Sequence, residues 1–210
     1  MKRLILASSS PRRHELLRAT GLPFEVARPD IDETPRSGES PPDYVARLSR
    51  EKAQAISGSA DSLILSADTT VADGEQIIGK PADPAEAGAM LRQLRGHAHQ
   101  VHTAVTVRDA DSDGRSTTRL TTSQVVMRAL SDDEIAAYVE SGGPMGKAGA
   151  YAIQNATFHP VAELDGCYTN VVGLPMCAVY ALLAEYGLPL PQPVPCSPDN
   201  LPCQLQGSIR

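Results

Sequence analysis

The chain has no tryptophan, and Phe and Tyr together make up only 4% of its 210 residues. A protein that grips its ligand by stacking bases on an aromatic platform needs more rings than that, so recognition here falls to hydrogen bonds and charge. Basic residues are in deficit too: 19 Lys and Arg face 25 Asp and Glu, a formal net charge of −6. A sequence-independent grip on DNA or RNA requires a broad basic face, which this balance excludes, while a local basic pocket for one small polyanion stays open. Long apolar runs are missing. The one after Lys2 and Arg3 extends only from Leu4 to Ala7, too short for a signal-peptide core or a membrane span. The expectation is a soluble cytoplasmic protein with neither a nucleic-acid nor a membrane partner. Cys167, Cys177, Cys196 and Cys203 lack the paired C-x-x-C spacing of a zinc site and form no disulfide framework. They read as two core cysteines and two in a tail.

What is present suffices for a core. Hydrophobic residues make up 41%, which suits one sizeable domain or two small lobes around one cleft. Arg3–Ala7 reads as a short buried strand, after which Ser10 and Pro11 open a helix that Gly21 ends. Phe24–Ala27 reads as a second strand, and the polar, Pro-rich stretch 29–42 as a loop. Ser40 with Asp43, Asp83 with Glu86, and Ser131 with Glu134 are capping pairs that start three further helices. Strands are expected over 63–65, 100–108 and 117–128, with a hairpin at Asp73-Gly74. Shorter strands are expected near Tyr151, over 158–162 and over 170–172, and a last helix over 175–186. The class is α/β or mixed α+β around a mixed sheet. Residues 1–187 form the domain, and the Pro-dense stretch 188–210 reads as a disordered tail outside the core.

Two stretches carry candidate chemistry. In "LILASSSPRRHELL" a strand ends on Ser8, Ser9 and Ser10, and a helix starts beside Arg12 and Arg13. Free N–H groups at the helix start, hydroxyl donors and planar guanidinium forks together make an anion site. Ordinary helix capping explains the serines equally well. In "LILSADTTVADGEQIIGKP" the carboxylate of Asp68 follows an apolar strand, where it could hold Mg²⁺ or take a proton from water. Taken alone, a turn cap is the commoner role for such an aspartate. Lys80 is a candidate cation for phosphate oxygens. Asp30, Asp32 and Glu33 crowd one loop, while Arg47, Arg50, Glu51 and Lys52 read as the solvated face of a helix. His97, His99 and His102 fit no metal spacing, and a His99–Asp68 dyad lacks a nucleophile elbow. There is no Walker loop and no G-x-G-x-x-G.

Seven stretches in order resemble the Maf family of nucleoside triphosphate pyrophosphatases. They are "LILASSSPRRHELL" at 4–17, "RLSREKAQAI" at 47–56, "SADTTV" at 66–71 with "GKP" at 79–81, "MLRQLRGHAHQVHTAV" at 90–105, "LSDDEIAAYV" at 130–139, "KAGAYAIQ" at 147–154 and "VVGLP" at 171–175. The resemblance implies an ITPase-like, elongated mixed sheet with two lobes around a central cleft. It implies hydrolysis of a nucleoside triphosphate between the α and β phosphates with a divalent cation, Mg²⁺ or Mn²⁺. The family's general base or metal-linked aspartate falls on Asp68, and an acidic motif position that could add a metal ligand on Glu33. Its phosphate-binding residues fall on Ser8, Arg13, Lys52 and Lys80, which promotes Lys52 from the solvated face. Arg12, Thr69 and Gln154 side with the dTTP/UTP branch rather than the 7-methyl-GTP branch. A nucleotide-pool sanitising or cell-division-arrest role follows from the same resemblance, and it leaves room for a homodimer.

The chain departs from the pattern at Gly146, where an Asp is usual, and at Ala152 and Asn155, where "GIQG" has become "AIQN". Two other readings compete. One is a pyrophosphatase for modified nucleotides or 7-methyl-GTP. The other is a non-catalytic nucleotide-binding regulator of septum formation, which would not need Asp68 beside the phosphates.

Overall fold

The computed structural model describes residues 2–111, 114–190 and 196. Strands β1 (Arg3–Ala7), β2 (Phe24–Ala27), β3 (Ser62–Asp73), β4 (Gln76–Ile78), β5 (Ala98–Asp109), β6 (Ser116–Met127) and β7 (Val161–Asp165) form one mixed sheet. Their order is β2-β1-β3-β5-β6-β7, with β4 beside β3. Helices α1 (Pro11–Arg18), α2 (Pro41–Gln54), α3 (Pro84–Leu94), α4 (Asp132–Glu140), α5 (Tyr168–Val172) and α6 (Met176–Glu185) flank it. β1 pairs in parallel with β2 and β3, and its buried run after Arg3 reflects cover on both faces. The remaining pairings, from β3 to β7, are antiparallel.

β3 and β5 have 12 residues each, about 40 Å at the usual rise, and thread two separate cores. One joins Leu63, Leu65, Val105 and Val107 to Leu17 and to Val179, Leu182 and Leu183 of α6. The other joins Val71 and Val101 to Leu91 and Leu94 of α3, Ile135 and Tyr138 of α4, and Tyr151 and Phe158. Between the two lobes the sheet has a gap. β3 pairs with β1 as far as Ser66, opposite Ala7, and with β4 from Val71, opposite Ile78. Residues 67–70 have no strand on that side among the described residues. The other edge of β3 stays paired to β5 throughout, so this stretch is rigid yet open.

Four expectations need correction. The strand expected over 63–65 continues through "SADTT", because β5 pairs with all of it; Asp68 lies inside the strand, not after it. Near Tyr151 there is a single 3₁₀ turn, Ala148–Ala150, rather than a strand. Residues 170–172 lie in α5. Its β-branched residues suggest a strand, but the Asn170 amide donates to the Val101 carbonyl and the Ser123 hydroxyl, both at 2.9 Å, and pins a helical turn onto the sheet. The strand expected over 158–162 starts at Val161 as β7.

The core also extends beyond Gly187. With Gly187 at φ +76°, the Gly187 and Leu188 amides donate back to Ala184 (3.0 Å) and Leu183 (2.8 Å), a Schellman turn that folds the chain onto α6. Leu188 and Cys196 are buried in the first core, and Leu190 packs against it. Cys203 and most of the expected tail lie outside the described residues.

Candidate active site

A cavity of about 910 Å³ opens at the gap beside residues 67–70, within the range of small-molecule sites. Ser8, Arg12, Arg13, Glu33, Lys52, Asp68, Thr69, Lys80 and Gln154 all line it. With Lys147, the lining carries five cations against two carboxylates, so the cavity is positive in a chain whose net charge is −6.

The start of α1 faces this cavity. Ser10 is its N-cap by backbone, but its hydroxyl makes no capping bond. Ser8 is buried instead, and its Oγ accepts from the Ser10 amide at 3.1 Å. The first turn is thus left without a side-chain cap where it lines the cavity, and its N–H groups keep their pull on an anion. Arg13 is held in place by three donated bonds, from Nε to the Gly173 carbonyl (2.7 Å), from Nη2 to Thr69 Oγ1 (3.0 Å) and from Nη1 to Ser8 Oγ (3.5 Å). Burial lowers its guanidinium below the ordinary value, opposed by the charge of Asp68. Thr69 shares its hydroxyl with Thr103 at 2.9 Å as well. That hydroxyl is committed within the protein, so Thr69 acts on the cavity through Arg13.

Successive β3 side chains point to opposite faces, so while Thr69 meets Arg13, Asp68 meets α2. Its Oδ1 lies 2.5 Å from Lys52 Nζ, and the same ammonium lies 2.6 Å from Glu33 Oε1. The charge run of α2 is therefore only in part an outer face: Arg47 and Lys52 are 7% and 6% exposed, while Arg50 is exposed and Glu51 half-buried. Burial works to raise the Glu33 carboxyl, but hydrogen bonds and charge from Lys52, together with Lys80 at 3.4 Å, hold it below its ordinary value.

The loop that carries Glu33 is tied down by α2. The Tyr44 hydroxyl donates to the Glu33 carbonyl at 2.9 Å. The Arg47 fork donates to Glu39 Oε1 (2.6 Å) and Oε2 (2.7 Å), and to the Thr34 carbonyl at 3.2 Å. The bond from Arg47 is the main reason Glu39 is lowered to about 2. A depressed carboxylate stabilises the fold above its unfolded value, and that contribution is lost as pH falls toward the folded one. Glu39→Gln is expected to cost roughly 1.5–3 kcal/mol at neutral pH, the range for a hydrogen bond to a charged group. The deficit should shrink as pH falls from about 4.5 toward 2, measured by denaturant melts across pH. A loosened loop should also raise KM several-fold with little change in kcat.

On the opposite rim, "KAGAY" packs against the β3–β4 hairpin. The Gly149 amide donates to the Gly79 carbonyl at 3.0 Å, which places Lys147 and Lys80 on one cavity. Gly149 has φ +66°, and a Cβ there would lie 2.8 Å from Val71 Cγ2, so no other residue fits. Asn155 Oδ1 accepts from the amides of Thr157 (3.1 Å) and Phe158 (2.7 Å), which orders the "ATFHP" turn in place of a glycine-rich loop.

Sequence reasoning does not single out Lys147 or Tyr44. The signal for Lys147 is its setting between Gly146 and Ala148, like that of Lys80 between Gly79 and Pro81; Tyr44 carries none. Arg12 has no ion pair among the described residues. Burial lowers Arg12 and Lys147, and the charge of Arg12 lowers Lys147 further. His99 does not approach Asp68: its Nε2 pairs with the Tyr151 hydroxyl at 2.8 Å, and burial brings its imidazole down to about 4, so it is neutral.

Fold and cavity define an α/β protein that presents one carboxylate, from a rigid strand, to a cationic cleft sized for a small polyanion. Residues 3–186 match the family described as Maf-like protein, and the chain belongs to that family. Among its relatives, a Cereibacter sphaeroides protein is 49% identical over 188 residues, covering 89% of this chain and 96% of the relative. A Sphingopyxis alaskensis protein is 48% identical over 191 residues, covering 90% and 100%. Both are named dTTP/UTP pyrophosphatase. Among solved structures, the Staphylococcus aureus Ham1 protein overlaps 61% of this chain and 73% of its own at 14% identity and a TM-score of 0.42, from which nothing about the chemistry follows.

Proposed function

We propose that this chain hydrolyses dTTP and UTP between the α and β phosphates, releasing the nucleoside monophosphate and pyrophosphate. The observation that carries the reading is the meeting of Asp68 with an uncapped helix start and five cations in the gap of the sheet. The names of the relatives support the substrate class.

In this reading the triphosphate lies along α1, Arg13 and Lys80, which hold the charge that develops on the departing pyrophosphate. Lys52 takes Asp68 Oδ1, which in this reading leaves Oδ2 for the attacking water. A water oxygen bonds to the α phosphorus, the bond to the bridging oxygen of the β phosphate breaks, and Asp68 takes the proton. Asp68 and Glu33 converge on one point, the Lys52 ammonium, and their hard oxygens suit Mg²⁺ or Mn²⁺. No group of three or more His, Cys, Asp or Glu is placed to hold an ion among the described residues, so the remaining ligands would be phosphate oxygens and water. A cation held there would offset phosphate charge.

Base choice falls to Arg12 and Gln154, with Thr69 acting behind Arg13. Uracil and thymine present two carbonyls around one N–H, which a guanidinium and an amide can match. Gln154 is exposed, so discrimination over ATP, GTP and CTP should be moderate, roughly 10–100-fold in kcat/KM rather than the larger factors of fully buried sites. Gln154→Glu should remove most of it by presenting only acceptors. The test is kcat/KM across the four ribonucleotides, dTTP and 7-methyl-GTP with Mg²⁺ or Mn²⁺, with products identified. Orthophosphate and a nucleoside diphosphate as first products would sink the reaction, and a 7-methyl-GTP preference would sink the base assignment alone.

A further inference from the structure

Three reduced cysteines from three elements meet in the core beneath α6. Cys167 precedes α5, Cys177 lies in the first turn of α6, and Cys196 returns from the chain beyond it. Cys177 Sγ and Cys196 Sγ lie 3.4 Å apart, although the residues are 19 positions apart in sequence. Cys167 Sγ lies 3.2 Å from Thr169 Oγ1, which also reaches Cys196 Sγ at 3.9 Å. Neither spacing nor composition reveals this meeting; the turn at Gly187 starts the chain back onto α6, and Cys196 is buried in the same core.

We infer that Cys177 and Cys196 are a thiol–disulfide site that fastens the segment beyond α6 to the body of the protein when a peroxide or a small disulfide oxidises it. A disulfide needs its sulfurs at about 2.05 Å, so these must close by only about 1.4 Å, the scale of a side-chain adjustment. Hydrogen bonds from Cys177 and Cys196 lower the Cys167 thiol well below its ordinary value, which places a third sulfur in the same cluster. With a peroxide, one thiolate attacks the O–O bond, becoming a sulfenic acid and releasing one water once protonated. The second thiol attacks that sulfur, forms the S–S bond and releases a second water. Two thiols lose two electrons and two protons, and the peroxide is reduced to water. With a small disulfide the same bond forms by exchange through a mixed disulfide, releasing two thiols.

Closing this 19-residue span constrains the unfolded chain, and oxidation should raise the melting temperature by roughly 5–10 °C. The experiment treats full-length protein with hydrogen peroxide or oxidised glutathione, alkylates the remaining thiols and digests without reduction. The expected products are a Cys177 peptide joined to a Cys196 peptide, and a melting shift that dithiothreitol reverses. Cys196→Ser should abolish both, and Cys203→Ser should leave both intact. The peptide map needs no variant, so it stands even if Cys196→Ser folds poorly. A dominant link from Cys196 to Cys203, a link through Cys167, or stoichiometric zinc that protects the thiols from oxidation would each overturn the assignment.

Discussion

Asp68→Asn is expected to lower kcat on UTP by at least ~10²-fold, the low end for the loss of a general base, while the chain stays folded. Asparagine keeps the shape of the side chain and its place opposite Ala104 in the β3–β5 ladder, so the backbone of the gap does not change. It removes the charge that, in the proposed reaction, takes the proton from water. Removing one member of a buried ion pair is often severe, because the partner charge is left without compensation. Here Lys52 keeps Glu33 at 2.6 Å, so the cost should be about 1–3 kcal/mol, within the roughly 5–15 kcal/mol stability of a typical domain. Turnover at saturating UTP and Mg²⁺, read beside a denaturant melt, separates the two effects. Near-normal turnover with a lowered melt would make Asp68 a structural partner of Lys52 and leave the water to another group.

What is legible in the sequence is local. The start of α4 can be read from Ser131 and Glu134 alone, and both bonds of that capping box are present. The starts of α2 and α3 likewise follow from Ser40 and Asp83, whose side chains accept from Asp43 and Glu86. What is illegible depends on partners distant in the chain. Spacing on α2 gives Lys52 no reason to be buried; Asp68, 16 positions on, supplies it. Thr69 looks like a donor for a ligand, but Arg13, 56 positions away, takes up its hydroxyl. Asp68 looks like a strand end because "SADTT" is polar. The polar run is a strand because β5 pairs with it on one edge, while the other edge is the gap that forms the cavity. The family resemblance names the residues of the cleft, but it does not say which of them hold one another.

Lys52→Met should be the most damaging single change in the cleft, with kcat down by ~10³-fold and stability down by roughly 3 kcal/mol at neutral pH. Methionine fills the space of the lysine stem but carries no charge. Asp68 and Glu33 would then face each other without the ammonium that now lies between them at 2.5 and 2.6 Å. Leaving buried charge uncompensated costs about 3–5 kcal/mol, and the low end applies because the Glu33 side chain is 42% exposed. The pH dependence carries a definite sign. In the native chain Lys52 and Lys80 hold Glu33 below its ordinary value against burial. That contribution is present above the unfolded carboxylate range and lost as pH falls through the folded value. Without Lys52, only Lys80 opposes the burial of Glu33, and Asp68 loses its partner, so the deficit of the variant should be largest near pH 7 and shrink below about pH 4–5. A divalent cation drawn to the two carboxylates would replace the missing charge, so millimolar Mg²⁺ should raise the melting temperature of Lys52→Met more than that of the native chain. If the deficit does not change with pH and Mg²⁺ shifts both proteins equally, the two carboxylates are not acting as one charged pair, and the metal reading of Asp68 and Glu33 fails with it.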